Sequence, residues 1–295
     1  MEKQVRIVDE KAGVVQVTTY DERWYCKTSE DEKTGLPIYA YVPSVTWVSS
    51  KYPKGTEFFK WLASKGWDES QAIKEAAGSK GSAIHKGAED LLQGEVVKMD
   101  AEYTDPKTGE VRALTVEEYY GIMTFVDWYK DLCSKHTVEV IASEITVFND
   151  EDNYAGTVDL VLRVDGRLLV IDLKSGQNIW PEYEIQISAY KRALELAGTE
   201  VAEIAILQLG YKRNKRGWKY TPVEYKYDLY LAAKRIWENE CASVTVHQRD
   251  YPLQLDLGDM PIIAMEAEIS AEDVPVAEAP AAEPTKPAKK VAKKK

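Results

Sequence analysis

Two carboxylates and an ammonium group stand at the ends of neighbouring apolar runs. Asp159 begins one run, and Asp172 and Lys174 close the next. The pair Asp165-Gly166 between the runs favours a two-residue type I′ turn, which would fold them into a hairpin. Counting outward from the turn places Asp159 nearly opposite Asp172, where two anionic side chains repel each other unless a cation lies between them. The pattern therefore predicts a site for a divalent metal ion such as Mg²⁺ or Mn²⁺, for which carboxylate oxygens are suitable ligands.

The position of Lys174 adds a positive charge to this predicted site. Lys174 comes two residues after Asp172, so the alternation of side chains along a strand places both on one face of the sheet. An ammonium group beside a metal ion can orient an attacking hydroxide or stabilise negative charge that develops on phosphorus. The alternative is an ordinary surface ion pair, because Asp-x-Lys occurs by chance in many proteins.

Two helical segments carry further polar pairs. His85 and Glu89 are four residues apart, as are Gln186 and Tyr190, so each pair lies on one face of its helix. A single histidine on a helix is usually a surface or core-edge residue. In combination with the two aspartates and the lysine, we expect His85 to belong to the site instead.

Periodicity and boundary residues predict the elements that would position these side chains. The predicted helices cover 57–65, 69–77, 81–93, 116–134, 181–197 and 229–242. The predicted strands lie within 5–19, 23–27, 35–48, 137–148, 156–164, 167–173, 201–209 and 218–227. The order helix, three strands, helix, strand in the middle of the chain predicts an α/β core with a mixed sheet.

Composition divides the 295-residue chain into a globular part and a tail. From Glu266 to Lys295 the chain has four prolines, no aromatic residue, and six acidic side chains followed by six lysines. Such a segment buries too little apolar surface to offset its conformational entropy. We therefore predict an N-terminal elaboration over 1–80 that packs on the core, a core over 81–260, and a disordered tail over 261–295.

Charge, hydropathy and cysteine content restrict the function classes. The 38 basic and 49 acidic side chains give a formal net charge of −11, which at first argues against a protein that binds phosphate backbones. No apolar run is long enough to span a membrane and the chain starts with charged residues, so we expect a soluble cytoplasmic protein without a membrane partner. Cys26, Cys133 and Cys241 form no C-x-x-C pair and indicate neither a disulfide framework nor a zinc site.

Taken in order, the candidate residues resemble a known family of enzymes. The series comprises Gly81-x-x-x-His85-x-x-x-Glu89, Glu144, Gly156-x-x-Asp159, Asp172-x-Lys174 and Gln186-x-x-x-Tyr190. It resembles the ordered motifs of the RecB-type branch of the PD-(D/E)XK nucleases, which includes CRISPR-associated exonucleases and many phage exonucleases. The resemblance spans residues 81–190 and implies a restriction-endonuclease-like core, in which helices flank a mixed central sheet.

The same resemblance implies a role for each of these residues. The expected metal ligands, for one or two Mg²⁺ or Mn²⁺ ions, are His85, Asp159, Asp172 and the backbone carbonyl of Leu173. The expected catalytic residues are Lys174, Asp172, Asp159 and Glu89. Gln186 and Tyr190 are expected to position the substrate, and Glu144 to support the ligands from outside or to assist a second metal ion.

Two absences from the sequence narrow the kind of nuclease that the resemblance implies. Some family members carry an iron–sulfur cluster on four cysteines, which a chain with three cysteines cannot build. No G-x-x-x-x-G-K-[ST] phosphate loop occurs in the sequence, so an ATP-driven helicase activity is not expected. We therefore expect a free-standing, ATP-independent enzyme.

Residues 211–220 are the sequence candidate for DNA contact. The segment has five basic side chains and no acidic one, interleaved with aromatic rings. Rings can stack on the bases of a single strand while the charges follow its phosphates, although an exposed hairpin tip would have a similar composition. The candidate DNA contacts are Lys212, Arg213, Lys215, Arg216, Trp218 and Lys219. A second aromatic set is expected to belong to the core, and it consists of Tyr39, Tyr41, Trp47, Phe58, Phe59 and Trp61.

The leading functional hypothesis from the sequence is a metal-dependent DNA exonuclease. It would hydrolyse phosphodiester bonds at the ends of linear DNA, in phage or prophage recombination, repair or processing. The alternatives are an endonuclease or structure-specific nuclease on the same fold, and a non-catalytic DNA-binding scaffold with a relic nuclease core. A protein that binds or anneals single strands would be a suitable partner.

Overall fold

The computed structural model describes residues 4–9, 13–18, 22–30, 37–105 and 109–241. All of them belong to one unit, Met1–Val246. The predicted tail over 261–295 and the predicted core beyond 241 lie outside the described residues. Among the residues described, no helix is both long enough and apolar enough to cross a membrane.

A four-stranded antiparallel sheet comes first in the chain. Its strands, in spatial order, are β1 (Gln4–Asp9), β2 (Val14–Thr18), β3 (Arg23–Glu30) and β4 (Pro37–Pro43). The short helix α1 (Val45–Ser49) follows because Ser44 caps it, with the Ser44 hydroxyl oxygen accepting a hydrogen bond from the backbone N–H of Trp47 (3.1 Å). The strand predicted over 35–48 therefore ends early, at Pro43.

Two helices and a small hairpin lead to the main sheet. The elements are α2 (Thr56–Lys65), α3 (Trp67–Leu92), β5 (Glu102–Thr104), β6 (Val111–Ala113) and α4 (Val116–Cys133). The helix α3 is longer than predicted. The sequence predicts separate helices over 69–77 and 81–93, and this is wrong, because α3 continues through Gly78 and Gly81.

A glycine inside a helix costs about 1 kcal/mol relative to alanine, and packing of the helix against neighbouring elements offsets that cost. The predicted boundary between 80 and 81 falls inside α3, and the division into an elaboration and a core stays a prediction.

Helices α3 and α4 cross closely at two reciprocal contacts. A Cβ atom on Gly87 of α3 would lie 2.4 Å from Ile122 Cδ1 of α4, and a Cβ atom on Gly121 of α4 would lie 2.4 Å from Ile84 Cδ1 of α3. Each isoleucine thus occupies the space that a glycine leaves open on the facing helix. These contacts set the distance between α3 and α4, and they thereby help to position His85 on α3.

A mixed five-stranded sheet forms the centre of the fold. Its strands are β7 (Val138–Asn149), β8 (Tyr154–Val164), β9 (Arg167–Lys174), β10 (Glu203–Leu209) and β11 (Trp218–Pro222), in the spatial order β11-β10-β9-β8-β7. β9 and β10 are parallel and the other pairs are antiparallel. Asp165 and Gly166 have φ angles of 49° and 82°, which confirms the predicted type I′ turn between β8 and β9.

Helices cover both faces of this sheet. α5 (Pro181–Leu196) and α6 (Tyr227–Cys241) pack with Val161, Val170 and Ile204 on one face. On the other face, α3 and α4 pack with Leu160 and Ile171. The α/β fold with a mixed central sheet between helices is therefore confirmed.

Candidate metal centre

Hairpin β8–β9 brings Asp159 and Asp172 to the same end of the sheet. The antiparallel ladder extends from the turn to the pair Leu160–Ile171, so the next position places Asp159 opposite Asp172. Asp159 Oδ2 accepts a hydrogen bond of 2.7 Å from the backbone N–H of Leu173. Asp172 is 1% exposed, so its charge must be balanced inside the protein.

Lys174 and Gln186 share the Asp172 carboxylate. Lys174 Nζ lies 2.5 Å from Asp172 Oδ2, because alternation along β9 places both side chains on one face. Gln186 of α5 donates from Nε2 to Asp172 Oδ1 (3.2 Å) and to the hydroxyl oxygen of Tyr190 (2.9 Å), one helical turn further on. The Tyr183 ring centroid is 4.8 Å from Lys174 Nζ, a cation–π contact. Helix α5 thus orients both charged groups.

A cluster of three possible metal ligands lies next to the Asp172–Lys174 pair. Among the described side chains, one set has the spacing to hold a metal ion, and it consists of His85, Glu144 and Asp159, whose ligand atoms lie within 4.8 Å of one another. His85 Nδ1 is 3.5 Å from Asp159 Oδ1 and 3.6 Å from Glu144 Oε1. His85 Nε2 is 3.0 Å from the carbonyl oxygen of Leu173. Helix α3 and hairpin β8–β9 therefore meet at this point.

Glu144 reaches the group through an uncommon backbone conformation. Its φ of 52° lies in the left-handed region that residues other than glycine rarely adopt. In the β7–β8 ladder, the paired residues on either side leave Glu144 opposite Asp159. Strain of this kind persists where the surrounding structure holds it, and it is concentrated at functional sites.

The observed group differs in part from the ligand set that the sequence resemblance implies. His85, Asp159 and the Leu173 carbonyl do lie together. Asp172 lies outside the three-residue group, and its oxygens contact Lys174 and Gln186. Glu144, expected to support the ligands from outside or to assist a second metal ion, lies among the candidate ligands.

Glu89 follows His85 by one turn of α3, as its spacing predicts. Its carboxylate contacts Lys86 (3.5 Å) and Gln93 (3.1 Å), which are on the same helix. The structure therefore places Glu89 beside the site without bringing it into the candidate ligand group.

Burial and nearby charges shift the pKa values of the site in opposite directions. Burial raises the pKa of Asp172 to about 6, opposed by the Lys174 ammonium and reinforced by the Asp159 carboxylate. Burial also disfavours the charged forms of Asp159 and His85. Their mutual attraction nevertheless lowers the pKa of Asp159 and raises that of His85 well above its ordinary value. Burial lowers the pKa of Lys174, yet the Asp172 and Asp159 carboxylates outweigh it and raise that pKa.

The donor set fits a divalent cation. Carboxylates from two strands, an imidazole and a backbone carbonyl converge within hydrogen-bonding or ion-pairing distance of one another. Hard oxygen donors suit Mg²⁺ and Mn²⁺, and three of the four groups supply oxygen. A bound cation would neutralise the same carboxylates that His85 and Lys174 face.

The predicted basic segment lies mostly in the loop between β10 and β11, and its last three residues begin β11. Because β9 and β10 are parallel, their C-terminal ends lie on one edge of the sheet, so this loop is at the end that carries Lys174. Two side chains that follow β9 hold the loop. Gln177 Oε1 accepts from the backbone N–H of Lys212, and Asn178 Oδ1 accepts from Arg213 Nη2, both at 2.8 Å.

The charges of this segment are exposed, whereas its rings are partly packed. The exposed side chains are Lys212, Arg213, Lys215, Arg216 and Lys219. Trp218 and Tyr220 are partly buried against the core, where Tyr220 stacks on Trp128 at a centroid distance of 6.5 Å. The loop therefore presents positive charge more than it presents stacking surfaces.

The aromatic set expected in the core divides into two parts. Trp47 packs edge-to-face on the buried Trp24 and Trp237, with both centroid distances 5.0 Å. Phe58, Phe59 and Trp61 instead lie on α2, which has no buried residue. Phe59 is 56% exposed and Tyr39 of β4 is 49% exposed, so the expectation is wrong for these two rings.

Sequence reasoning missed several side chains around the site. Tyr183 beside Lys174 and the loop-holding Gln177 and Asn178 all fall between β9 and the body of α5. The available signal was the polar run that follows the strand, because side chains just beyond the C-terminal end of a strand reach the same edge of the sheet as its last residues.

Comparisons with known proteins identify the family. A solved structure described as "Crystal structure of SSO0001" is similar over 56% of this chain and 86% of its own, with 10% sequence identity and a TM-score of 0.31. No curated protein matches the sequence. A model of the PD-(D/E)XK nuclease superfamily matches residues 58–254, and the mixed sheet between helices is consistent with a restriction-endonuclease-like core. The chain therefore belongs to the PD-(D/E)XK nuclease superfamily.

Proposed function

We propose that this protein is a metal-dependent DNA exonuclease of the RecB-type branch that uses Mg²⁺ or Mn²⁺. Membership of the superfamily supports nuclease activity and the use of a divalent metal. The observation that supports metal-dependent hydrolysis of a phosphodiester is the Asp172–Lys174 pair beside the His85–Glu144–Asp159 group, at one end of hairpin β8–β9. A phosphate bound there would meet a partly buried ammonium and a metal site together.

The proposed metal ligands are His85, Asp159, Asp172 and the carbonyl oxygen of Leu173. Glu144 is an additional carboxylate for the same ion or, with Glu89, for a second one. When bound, the cation supplies positive charge that stabilises the charge developing on the phosphate oxygens.

Lys174 is the side chain best placed to act on the reacting phosphate. Burial lowers the pKa of Lys174, but the neighbouring carboxylates raise it by more. The ammonium group therefore stays protonated at neutral pH. Asp172 and the Tyr183 ring hold this group in place, so it can stabilise developing negative charge with little reorganisation. Gln186 and Tyr190 are proposed positioning residues, since Gln186 donates to Asp172 and Tyr190 accepts a hydrogen bond from Gln186.

The basic loop supports DNA as the substrate. The proposed contacts are Lys212, Arg213, Lys215 and Arg216 in the loop, with Trp218 and Lys219 at the start of β11. The loop lies on the edge of the sheet that carries Lys174, so a strand whose phosphate reaches the site would pass next to it. The preference for linear ends, a role in phage or prophage recombination or repair, and a single-strand-binding or annealing partner rest on the motif resemblance.

Cleavage by site variants tests this proposal. Lys174→Ala and Asp172→Asn should each lower the rate on linear DNA with Mg²⁺ by about 100- to 1000-fold, the typical effect of removing one preorganised electrostatic group. Lys135→Ala is the matched control, because its ammonium forms an exposed ion pair with Asp131 (2.6 Å). Undiminished cleavage by both site variants would overturn the assignment.

Substrate form separates exonuclease from endonuclease. The wild type should degrade linear DNA labelled at either end and leave a covalently closed circle intact. Cleavage of the circle would replace the proposal with an endonuclease. Calorimetric titration with Mn²⁺ separates both from a relic scaffold, since a relic would show neither metal binding nor cleavage.

A further inference from the structure

A second basic and aromatic segment lies where the match to the superfamily model begins. Residues 51–67 contain four lysines, one acidic side chain and five aromatic side chains, in a chain whose net charge is −11. This composition resembles that of the loop at 211–220. The two segments differ in the exposure of their rings: Trp218 is partly buried, whereas Phe59 and Trp67 are 56% and 64% exposed.

The exposure of these rings is not explained by packing. None of the residues of α2 is buried, although burial of an apolar face is what usually stabilises a helix in a protein. The Phe58 ring lies 5.6 Å from Phe59 and 5.9 Å from Trp61, measured between centroids. Phe58 and Trp61 are partly buried, whereas Phe59 in this cluster and Trp67 at the start of α3 are exposed. Large apolar side chains left exposed on one short segment are candidates for a binding surface.

The chain at the N-terminal end of α2 contacts the first turn of α5, which lies next to the proposed active site. Lys54 forms an ion pair with Glu182, and Lys54 Nζ lies 5.9 Å from the Phe58 ring centroid. Glu182 directly precedes Tyr183, whose ring centroid is 4.8 Å from Lys174 Nζ. A strand that leaves the reacting phosphate over this turn would therefore reach Lys54 and Phe58, at the N-terminal end of α2.

The lysines of α2 can interact with phosphates. Lys60 pairs with Glu57 at 2.7 Å, and both side chains are largely exposed, at 67% and 80%. Lys65 pairs with Glu69 at 2.7 Å and is 39% exposed. Exposed ion pairs are weak in water, so a phosphate can compete for either ammonium.

We propose that α2 and the turn into α3 form a binding surface for single-stranded DNA. Bases stack on Phe59 and Trp67, and Lys60 and Lys65 contact the phosphates between them. The choice of DNA as ligand rests on the proposed nuclease function. The choice of a single strand follows from the rings, because stacking on a side chain requires the face of an unpaired base.

Binding measurements without cleavage test this surface. Full-length protein in EDTA is titrated into fluorescently labelled oligodeoxythymidylate, and into a labelled blunt duplex, with anisotropy as the readout. The double variant Phe59→Ala/Trp67→Ala should bind the single strand about ten-fold or more weakly and the duplex as the wild type does. Tyr225→Ala is the matched control, because it removes another exposed ring (44%), and it should bind both ligands normally.

Leucine variants separate stacking from general apolar contact and from loss of structure. Phe59→Leu/Trp67→Leu keeps apolar side chains at both positions, and its thermal unfolding should match that of the wild type because neither ring is buried. It should nevertheless lose the same affinity for the single strand as the alanine variant. Normal single-strand binding by either double variant, or an equal loss on the duplex, would overturn the inference.

Parallel cleavage assays keep this inference distinct from the proposed function. If the wild type cleaves linear DNA with Mg²⁺ while the double variants bind single strands normally, the binding surface is wrong and the nuclease assignment stands. If the wild type cleaves nothing while the double variants bind single strands weakly, the nuclease assignment is wrong and the surface stands.

Discussion

Replacing Gly156 with alanine would test how closely hairpin β8–β9 and helix α5 fit together. A Cβ atom at this position would lie 2.5 Å from Tyr190 Cε1 and 3.1 Å from Val45 Cγ2. Tyr190 is 3% exposed and Val45 is fully buried, so neither side chain can swing into solvent. Since ordinary contacts begin near 3.4 Å, the Tyr190 ring must retreat by about 1 Å, which is overpacking of a filled core.

The displacement has an effect on stability and an effect on activity. Overpacking of a core costs about 1–3 kcal/mol in the free energy of unfolding. The Tyr190 hydroxyl accepts a hydrogen bond from Gln186, and Gln186 donates to Asp172. Movement of the Tyr190 ring would therefore displace Gln186 and, through it, Asp172. A misplacement of about 1 Å in a reacting group lowers rates by about 100-fold, and we expect a fall of that order in kcat on linear DNA.

Gly81→Ala is the matched control for this experiment. A Cβ atom there would lie 3.5 Å from Ser175 Oγ, an ordinary contact, and alanine is the better helix former in α3. Urea unfolding and initial rates of cleavage would be measured for both variants. Wild-type stability and activity in Gly156→Ala would refute the steric reasoning, and reduced stability with full activity would show that Tyr190 does not position Asp172.

Packing, a buried ion pair and metal binding can each be tested by a further substitution or by chelation. In Gly87→Ala the new Cβ would lie 2.4 Å from Ile122 Cδ1, so the melting temperature should fall, and Ile122→Ala should cost less stability in that variant than in the wild type. Burial raises the pKa of Glu118, but hydrogen bonds from Arg112 (2.7 and 2.8 Å) and Thr115 outweigh it and lower that pKa. The ionised carboxylate therefore stabilises the fold above its unfolded pKa, and this contribution is lost as pH falls through the folded value. Glu118→Gln should cost about 1–3 kcal/mol at pH 7 and much less near pH 3 in urea unfolding, and an equal loss at both pH values would contradict the linkage. Chelation should abolish cleavage and Mn²⁺ should restore it, while Mn²⁺ should raise the melting temperature of the wild type and not of His85→Ala.

The β8–β9 hairpin and the side-chain pairs that share a helix face could be predicted from residues close together in the sequence. Asp165-Gly166 specifies its turn through backbone conformations that these residues adopt readily, and the register from that turn brings Asp159 opposite Asp172. The helical repeat alone predicts that Gln186 and Tyr190 lie on one face of a helix, and their side chains are hydrogen-bonded to each other. Predictions of this kind use neighbours in the sequence alone.

Features that depend on distant packing could not be read from the sequence. Glu144 enters the candidate ligand group through its register against β8 and a positive φ, and neither is encoded in its neighbours. The continuity of α3 through Gly78 and Gly81 likewise depends on packing against other elements. Phe59 resembles a core residue in the sequence, and only the absence of buried positions on α2 shows that its ring is exposed.

The uninterrupted course of α3 makes it a fixed spacer between two parts of the molecule. Trp67 is its first residue, and His85 lies about 27 Å further along the axis at 1.5 Å per residue. A stacked strand advances about 3.4 Å per nucleotide, so this interval corresponds to about eight nucleotides. The length of α3 would then set the shortest oligonucleotide that can contact both ends, and affinity should rise steeply with chain length up to that size.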